Sequence, residues 1–145
     1  MVKKKAAPKI RLERGDLKKI SSELWDGLLR YNRAQVGPLR YTRKIVTARD
    51  ESGRLLGGAI LESYWLETYV ELLWMSGRVR RSGTGAELMA QAEKIARKRG
   101  SRLLWLNTYS FQAPRFYEKL GFKRFGGIAG SPKGHARHFY VKRLK

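Results

Sequence analysis

Apolar residues recur along the chain with helical and strand periods, and these periods predict most of its elements. Between Leu17 and Leu28 they recur every three or four positions, which predicts an amphipathic helix that the Asp16 carboxylate can cap. A short strand over residues 9–14 is expected to precede this helix. Residues 31–41 have no clean period and fit either a second short helix or a loop.

The middle of the chain predicts strands. Residues 44–49 and 55–63 flank a short polar turn that ends in Gly53, which predicts an antiparallel hairpin. Residues 69–75 form a strongly apolar segment interrupted by one charge, Glu71. We expect this segment to be a buried strand.

The last third alternates helices and strands. Apolar residues from Leu88 to Ala96 recur with a helical period and predict an amphipathic helix, which Gly100 can end. A strand over 103–108, a short helix over 113–120 capped by Gly121, and strands over 122–128 and 139–144 are expected to follow. This order predicts an α/β (α+β) fold in which helices pack on a mixed sheet.

Length and composition indicate one compact domain. The 145 residues are 42% hydrophobic, enough for a core without metal or disulfide staples. We expect a basic flexible tail over 1–8 and a single domain over 9–145. The chain has no cysteine and only His135 and His138, so the usual disulfide, thiol and zinc patterns are absent and no metal is expected. No segment resembles an export signal or a membrane span, which favours a cytoplasmic protein without membrane contact.

The net charge of +20 arises from 32 basic and 12 acidic residues. Such an excess predicts polyanionic partners such as nucleic acid. A solvated basic surface without a specific partner explains the charge equally well, since no nucleic-acid recognition motif accompanies it.

Residues 80–85 join the apolar strand to the following helix and form a candidate phosphate-binding turn. Glycines permit close backbone approach, and the first amides of a helix carry partial positive charge towards an anion. Arg78, Arg80 and Arg81 add full charges. The turn lacks the lysine and hydroxyl residue of a nucleotide P-loop, and Leu88 occupies the third glycine position of a dinucleotide fingerprint. An ordinary helix start beside solvated charges is the alternative.

Two ordered motifs resemble the GNAT superfamily of N-acetyltransferases. Residues 80–85, Arg-Arg-Ser-Gly-Thr-Gly, resemble its motif Arg/Gln-x-x-Gly-x-Gly/Ala, and residues 116–122, Phe-Tyr-Glu-Lys-Leu-Gly-Phe, resemble its second signature. Residues 107–113 are similar to a small, single-domain bacterial subgroup. The resemblance implies a mostly antiparallel mixed sheet with helices on both faces. It also implies transfer of an acetyl group from acetyl-coenzyme A to an amine.

The resemblance also implies a cofactor site. Backbone groups of the strand before the turn would bind pantetheine, and amides of the turn would bind pyrophosphate. The cofactor-binding residues expected are Leu73, Trp74, Met75, Arg80, Arg81, Ser82, Gly83, Thr84, Gly85, Ala86 and Ser110. Ser110 stands where many relatives have asparagine, and Gly77 stands where a proline is common.

Direct attack of an amine on a thioester needs a neutral amine, a polarised carbonyl and a proton for the departing thiolate. Tyr117 lies in the second signature and is expected to face the thioester sulfur as general acid. Glu71, in an otherwise apolar strand, is the candidate base. A structural ion pair is the alternative role for Glu71, and Glu62 or a water chain is an alternative route for the proton. His135 is expected on the surface rather than in the amine pocket.

Three functions remain compatible with the sequence. The first is an acetyl-coenzyme A-dependent N-acetyltransferase. The second is a nucleic-acid-binding module on the same fold, which would contact phosphates through the tail and through Arg97, Lys98, Arg99 and Arg102. The third is acetylation of an amine carried on RNA or an acidic protein. The amine stays open, as does the choice between monomer and homodimer.

Overall fold

The computed structural model describes residues 7–145, which divide into two compact units, 7–39 and 40–145. Most of the predicted tail, residues 1–6, lies outside the described residues. The single domain over residues 9–145 stays a prediction. We describe each unit by itself.

The first unit contains helix α1 (Leu17–Val36). Its cap is the predicted one: the Asp16 carboxylate accepts a hydrogen bond from the Lys19 amide at 3.0 Å. The helix includes residues 31–36 of the segment that fitted either a helix or a loop. It ends at Gly37, because a φ of 83° is incompatible with a continuing α-helix. The predicted strand over 9–14 is wrong. Apolar and polar residues do alternate there, but within residues 7–145 no strand pairs with this segment, and a strand without a partner is not stable.

The second unit is built on six strands and two helices. In chain order they are β1 (Thr42–Arg49), β2 (Leu55–Tyr64), β3 (Glu67–Met75), α2 (Thr84–Arg99), β4 (Leu103–Tyr109), α3 (Pro114–Lys119), β5 (Lys123–Ala129) and β6 (Ala136–Arg143). The order across the sheet is β1-β2-β3-β4-β6-β5, and only β3 and β4 are parallel. The predicted mixed, mostly antiparallel sheet is confirmed, and each predicted element from 44 onward is present.

The core lies where α2 packs on the sheet. Ala92 and Ala96 of α2 are fully buried, as are Ala59 and Leu61 of β2, because small residues let helix and strand approach closely. Tyr117 of α3 belongs to the same buried cluster. No helix within residues 7–145 combines the length and apolar character needed to cross a membrane.

The sheet opens in its middle. β3 and β4 pair only between Glu67–Val70 and Leu103–Leu106. Beyond that point β3 stays paired with β2 as far as Met75, whereas β4 stays paired with β6. The two strands therefore separate, and the gap between them contains the candidate site.

A register shift marks the point of separation. Leu61 of β2 pairs with Val70 and Ile60 pairs with Leu72, so Glu71 has no partner in β2. An extra residue of this kind is a β-bulge, which bends a strand and redirects a side chain. The bulge brings Glu71 to the gap.

Candidate active site

A cavity of about 790 Å³ occupies the gap between β3 and β4. It is lined by β3, the turn before α2, the end of β4 and the start of α3. The lining residues are Val70, Glu71, Leu72, Leu73, Trp74, Met75, Arg80, Arg81, Leu106, Asn107, Thr108, Tyr109, Phe111, Gln112, Ala113, Phe116 and Tyr117. The structure thus brings together the strand, the turn and the tyrosine that the sequence singled out.

The β3 side of the cavity presents backbone groups. Between Glu71 and Met75 the edge of β3 that faces β4 has no strand partner. The N–H and C=O groups on that edge are therefore available to an extended ligand, which can bind there as an added strand does.

The turn before α2 leaves helix amides unpaired. Arg81 and Gly83 both have left-handed backbones, with φ of 63° and 91°. The first intrahelical bond joins the Glu87 amide to the Gly83 carbonyl at 3.1 Å. The amides of Gly85 and Ala86 have no acceptor within residues 7–145, and these amides point out of the helix N-terminus.

The two glycines of the turn serve different needs. Gly83 has open space around it, and its positive φ is what requires glycine. Gly85 is buried, and a Cβ there would lie 2.6 Å from the Met75 sulfur. Gly85 therefore permits the close packing of α2 against the end of β3.

Side chains complete the turn. The Ser82 hydroxyl donates to the Val79 carbonyl at 2.7 Å and lies 2.8 Å from the Thr84 hydroxyl, so it stabilises the turn itself. The guanidinium groups of Arg78, Arg80 and Arg81 form no ion pair within residues 7–145. The turn is a positively charged set of donors suited to a phosphate.

Tyr117 of α3 also lines the cavity. The residue is 8% exposed, and its ring packs edge-on against Phe116 and Phe122 and lies at a tilt to Tyr140. Burial raises the pKa of the Tyr117 hydroxyl to about 12. Burial is the whole cause of this shift, so the phenol is a protonated donor without an acceptor among residues 7–145.

Glu71 is not buried, which corrects the reasoning that singled it out. Its side chain is 39% exposed, because the bulge turns it towards the cavity, and it forms an ion pair with Arg43 of β1 at 2.9 Å. The partner expected for this carboxylate is thus present, two strands away. Glu71 is also one of the residues that line the cavity.

Glu62 is bound by its neighbours. Its carboxylate pairs with Arg43 and accepts hydrogen bonds from Tyr41 at 3.0 Å and from Tyr64 at 2.6 Å. These bonds, chiefly the one from Tyr64, lower the pKa of Glu62. Glu62 does not line the cavity.

The family follows from comparison with known proteins. The model of the acetyltransferase (GNAT) family matches residues 17–122. The chain belongs to the GNAT family of acetyltransferases. It is 37% identical over 98 residues to blasticidin-S acetyltransferase of Streptomyces morookaense, which covers 65% of this chain and 70% of that protein. It is 32% identical over 121 residues to an acetyltransferase of Agrobacterium fabrum, which covers 82% of this chain and 87% of that protein.

Comparison with solved structures supports the same family. An acetyltransferase from Bacillus cereus superposes with a TM-score of 0.84 at 30% identity, covering 93% of this chain and 98% of that one. The prediction of a GNAT acyltransferase is confirmed, and so is its fold.

Some residues of this GNAT chain lie away from the cavity. Ser110 does not line it: the Ser110 hydroxyl accepts a hydrogen bond from the Ala136 amide at 3.1 Å and joins β4 to β6. His135 is exposed and packs edge-on against Phe111. The role of Ser110 in cofactor binding stays a prediction.

Two polar residues at the site, Arg43 and Asn107, were not predicted from the sequence. Arg43 binds Glu71, and Asn107 lines the cavity from β4. The alternation of β4 places Asn107 on the face opposite the buried Leu106 and Thr108, and this strand period was a usable signal. Nothing local to Arg43 indicates its partner.

Proposed function

We propose that this GNAT enzyme transfers the acetyl group of acetyl-coenzyme A to an amine by direct attack, in one domain comprising residues 9–145. One observation carries the proposal. A donor turn, an unpaired strand edge and a protonated tyrosine are found at one cavity, and these are the groups that the cofactor's pyrophosphate, pantetheine and thioester would need. Family membership favours this enzyme over a pure nucleic-acid-binding module.

The cofactor's phosphates would bind at the N-terminus of α2. The free amides of Gly85 and Ala86 donate to phosphate oxygens, and Arg80 and Arg81 neutralise their charge. Gly83 makes this geometry possible because its left-handed backbone exposes the amides that follow. The residues present therefore fit a pyrophosphate.

The pantetheine arm would extend along β3. Its two amide groups can bond with the unpaired edge at Leu73, Trp74 and Met75, in the manner of an added strand. The thioester then lies near Glu71, where β3 and β4 separate. A β3 amide on this edge can donate to the thioester carbonyl and stabilise the negative charge that develops on its oxygen.

Tyr117 supplies the proton for the leaving thiolate. As the amine nitrogen attacks the carbonyl carbon, the carbon–sulfur bond breaks and the sulfur takes the electron pair. The Tyr117 hydroxyl, with its pKa raised to about 12, stays protonated at physiological pH and can donate to this sulfur. Tyr117 regains a proton from solvent when the product leaves.

Glu71 accepts the proton of the attacking amine, directly or through one water. It is the one carboxylate among the lining residues that the structure describes. Glu62 is less suited to this role because three neighbours already bind its carboxylate. Arg43 holds Glu71 in place from outside the cavity.

The acceptor is an amine, and its class needs measurement. The relative from Streptomyces morookaense carries the name of an enzyme that acetylates blasticidin-S, so that compound belongs in the first panel. The panel should also contain small amines, peptides and aminoacyl-tRNA, with release of thiol followed and product mass measured. A mass gain equal to one acetyl group on an amine supports the proposal. Salt-sensitive polyanion binding without turnover of any amine would contradict it.

A further inference from the structure

One arginine does not line the cavity itself but contacts two residues that do, Asn107 and Tyr109. Arg137 of β6 pairs in register with Tyr109 of β4, which lines the cavity. Its guanidinium carbon lies 5.6 Å from the centre of the Tyr109 ring and 5.7 Å from that of Phe139. Contacts with two aromatic faces restrict the side chain and stabilise its charge.

A hydrogen bond restricts Arg137 further. Its Nε donates to the Asn107 side-chain oxygen at 2.7 Å. Since a guanidinium only donates, this bond determines the orientation of the Asn107 amide, whose nitrogen then donates to the Tyr69 hydroxyl at 2.7 Å. The Tyr69 oxygen is thereby an acceptor, and its own proton is left to donate elsewhere.

The outer edge of this guanidinium has no partner. Arg137 forms no ion pair within residues 7–145, and its two terminal nitrogens make no hydrogen bond there. The side chain is half-buried, so water screens it only in part. Nε is used to orient the group, which leaves the two terminal nitrogens in the planar arrangement that binds carboxylate or phosphate through two parallel bonds.

We propose that Arg137, with the Tyr69 hydroxyl, binds a carboxylate or phosphate group of the acceptor. The inference rests on the proposed function, since it assigns the class of amine that the same cavity acetylates. Neighbouring strands lie about 4.8 Å apart, so Arg137 on β6 is one strand spacing from β4 and the cavity beyond it. The acceptor therefore carries its amine and its anionic group several bonds apart.

Matched amines test the assignment. Each pair consists of an amine with an anionic group and the same amine without it: γ-aminobutyrate with propylamine, lysine with cadaverine, and O-phosphoethanolamine with ethanolamine. We expect the kcat/KM of the anionic member of at least one pair to be about tenfold or more above that of its partner, mainly through a lower KM. A tenfold difference is the usual scale for one charge-assisted hydrogen bond. The third pair distinguishes phosphate from carboxylate.

Three variants isolate the arginine. Arg137→Gln removes the charge, Arg137→Lys keeps the charge but loses the two-bond geometry, and Arg143→Gln removes an exposed charge from the same strand as a control. Arg137→Gln should abolish the preference for the anionic amine and leave the neutral amine's kcat/KM within about twofold, while Arg137→Lys restores part of the preference. Arg143→Gln should behave as the wild type. Thermal unfolding confirms that each variant is folded.

The outcomes separate the two proposals. Equal kcat/KM within every pair, or an Arg137→Gln loss of the same size on both members, overturns the Arg137 site and leaves the acetyltransferase proposal intact. If no amine is acetylated, the proposed function fails. Calorimetric titration of the three anionic amines into the coenzyme A complex then decides on Arg137: binding weakened about tenfold in Arg137→Gln supports the site, and absent or unchanged binding overturns it.

Discussion

The Tyr117 hydroxyl is the most direct test of the catalytic assignment, because its removal changes little else. In Tyr117→Phe the ring keeps its contacts with Phe116, Phe122 and Tyr140. The hydroxyl makes no protein hydrogen bond, so none is lost. We expect the free energy of unfolding at neutral pH to change by less than about 0.5 kcal/mol, the usual range for a change that disturbs no packing or bond.

The catalytic effect should be much larger. Loss of a general acid typically lowers the rate about a hundredfold or more. At about 1.36 kcal/mol for each factor of ten, this corresponds to a barrier raised by about 2.7 kcal/mol. The predicted signature of Tyr117→Phe is therefore a large fall in kcat with nearly unchanged stability and coenzyme A affinity.

Single-turnover measurement of thiol release isolates the chemical step, and calorimetry gives the coenzyme A affinity. Since Tyr117 titrates only near pH 12, its ionisation should not shape the wild-type rate between pH 6 and about pH 10. A single-turnover rate equal to that of the wild type would remove Tyr117 from the mechanism. A loss of coenzyme A affinity equal to the loss of rate would instead assign it to cofactor binding.

The same tyrosine predicts a stability change at high pH. Its pKa rises from about 10 in the unfolded chain to about 12 in the folded one, so the folded state disfavours the phenolate. Stability linked to this group is full below pH 10 and falls as the pH rises towards 12, by up to about 3 kcal/mol. Denaturant unfolding across this pH range gives the free energy of unfolding of wild type and Tyr117→Phe. This free energy should fall more steeply with pH in the wild type than in the variant. Parallel curves would contradict the burial argument.

Two further comparisons test the turn and the base. Gly83→Ala should lower the free energy of unfolding by about 1 kcal/mol, because alanine disfavours the left-handed backbone, and should spare coenzyme A binding. Gly85→Ala should weaken coenzyme A binding about tenfold, because the added Cβ displaces Met75. Equal calorimetric affinities of the two variants for coenzyme A would refute this. Glu71→Gln should lower kcat/KM about a hundredfold and spare coenzyme A affinity, whereas Glu62→Gln, outside the cavity, should change it by less than about threefold. Equal losses in the two glutamate variants would remove Glu71 as the base.

Local patterns predicted the elements of the second unit well. The period of α2 and its closing Gly100 are contained in one continuous segment, and the structure confirms both. The hairpin of β1 and β2 likewise follows from its turn. Residues 9–14 show why local pattern is insufficient: a strand also needs a partner, and only the whole fold determines whether one is present.

The site residues also divide into those that local motifs predict and those that depend on the whole fold. The phosphate turn and Tyr117 lie in short contiguous motifs, so sequence alone predicted them. Glu71 was singled out for a wrong reason, since burial was expected and the bulge turns it outward. Neither its partner Arg43 nor the pair of Asn107 and Arg137 could be predicted, because each contact depends on strand register across about 30 residues of chain.

Charge is distributed unevenly over the cavity, and this distribution bears on the acceptor. Arg80 and Arg81 lie where we propose that the cofactor's phosphates bind, and Glu71 is the one carboxylate among the lining residues that the structure describes. The net charge of +20 attracts anions from a distance, but screening limits it to about 10 Å in ordinary salt. The attraction between an ammonium group and Glu71 therefore acts only at short range. An acceptor with both an anionic group and an amine would satisfy both conditions, because the field would attract its anionic group and Glu71, as the proposed base, would take the proton of its amine.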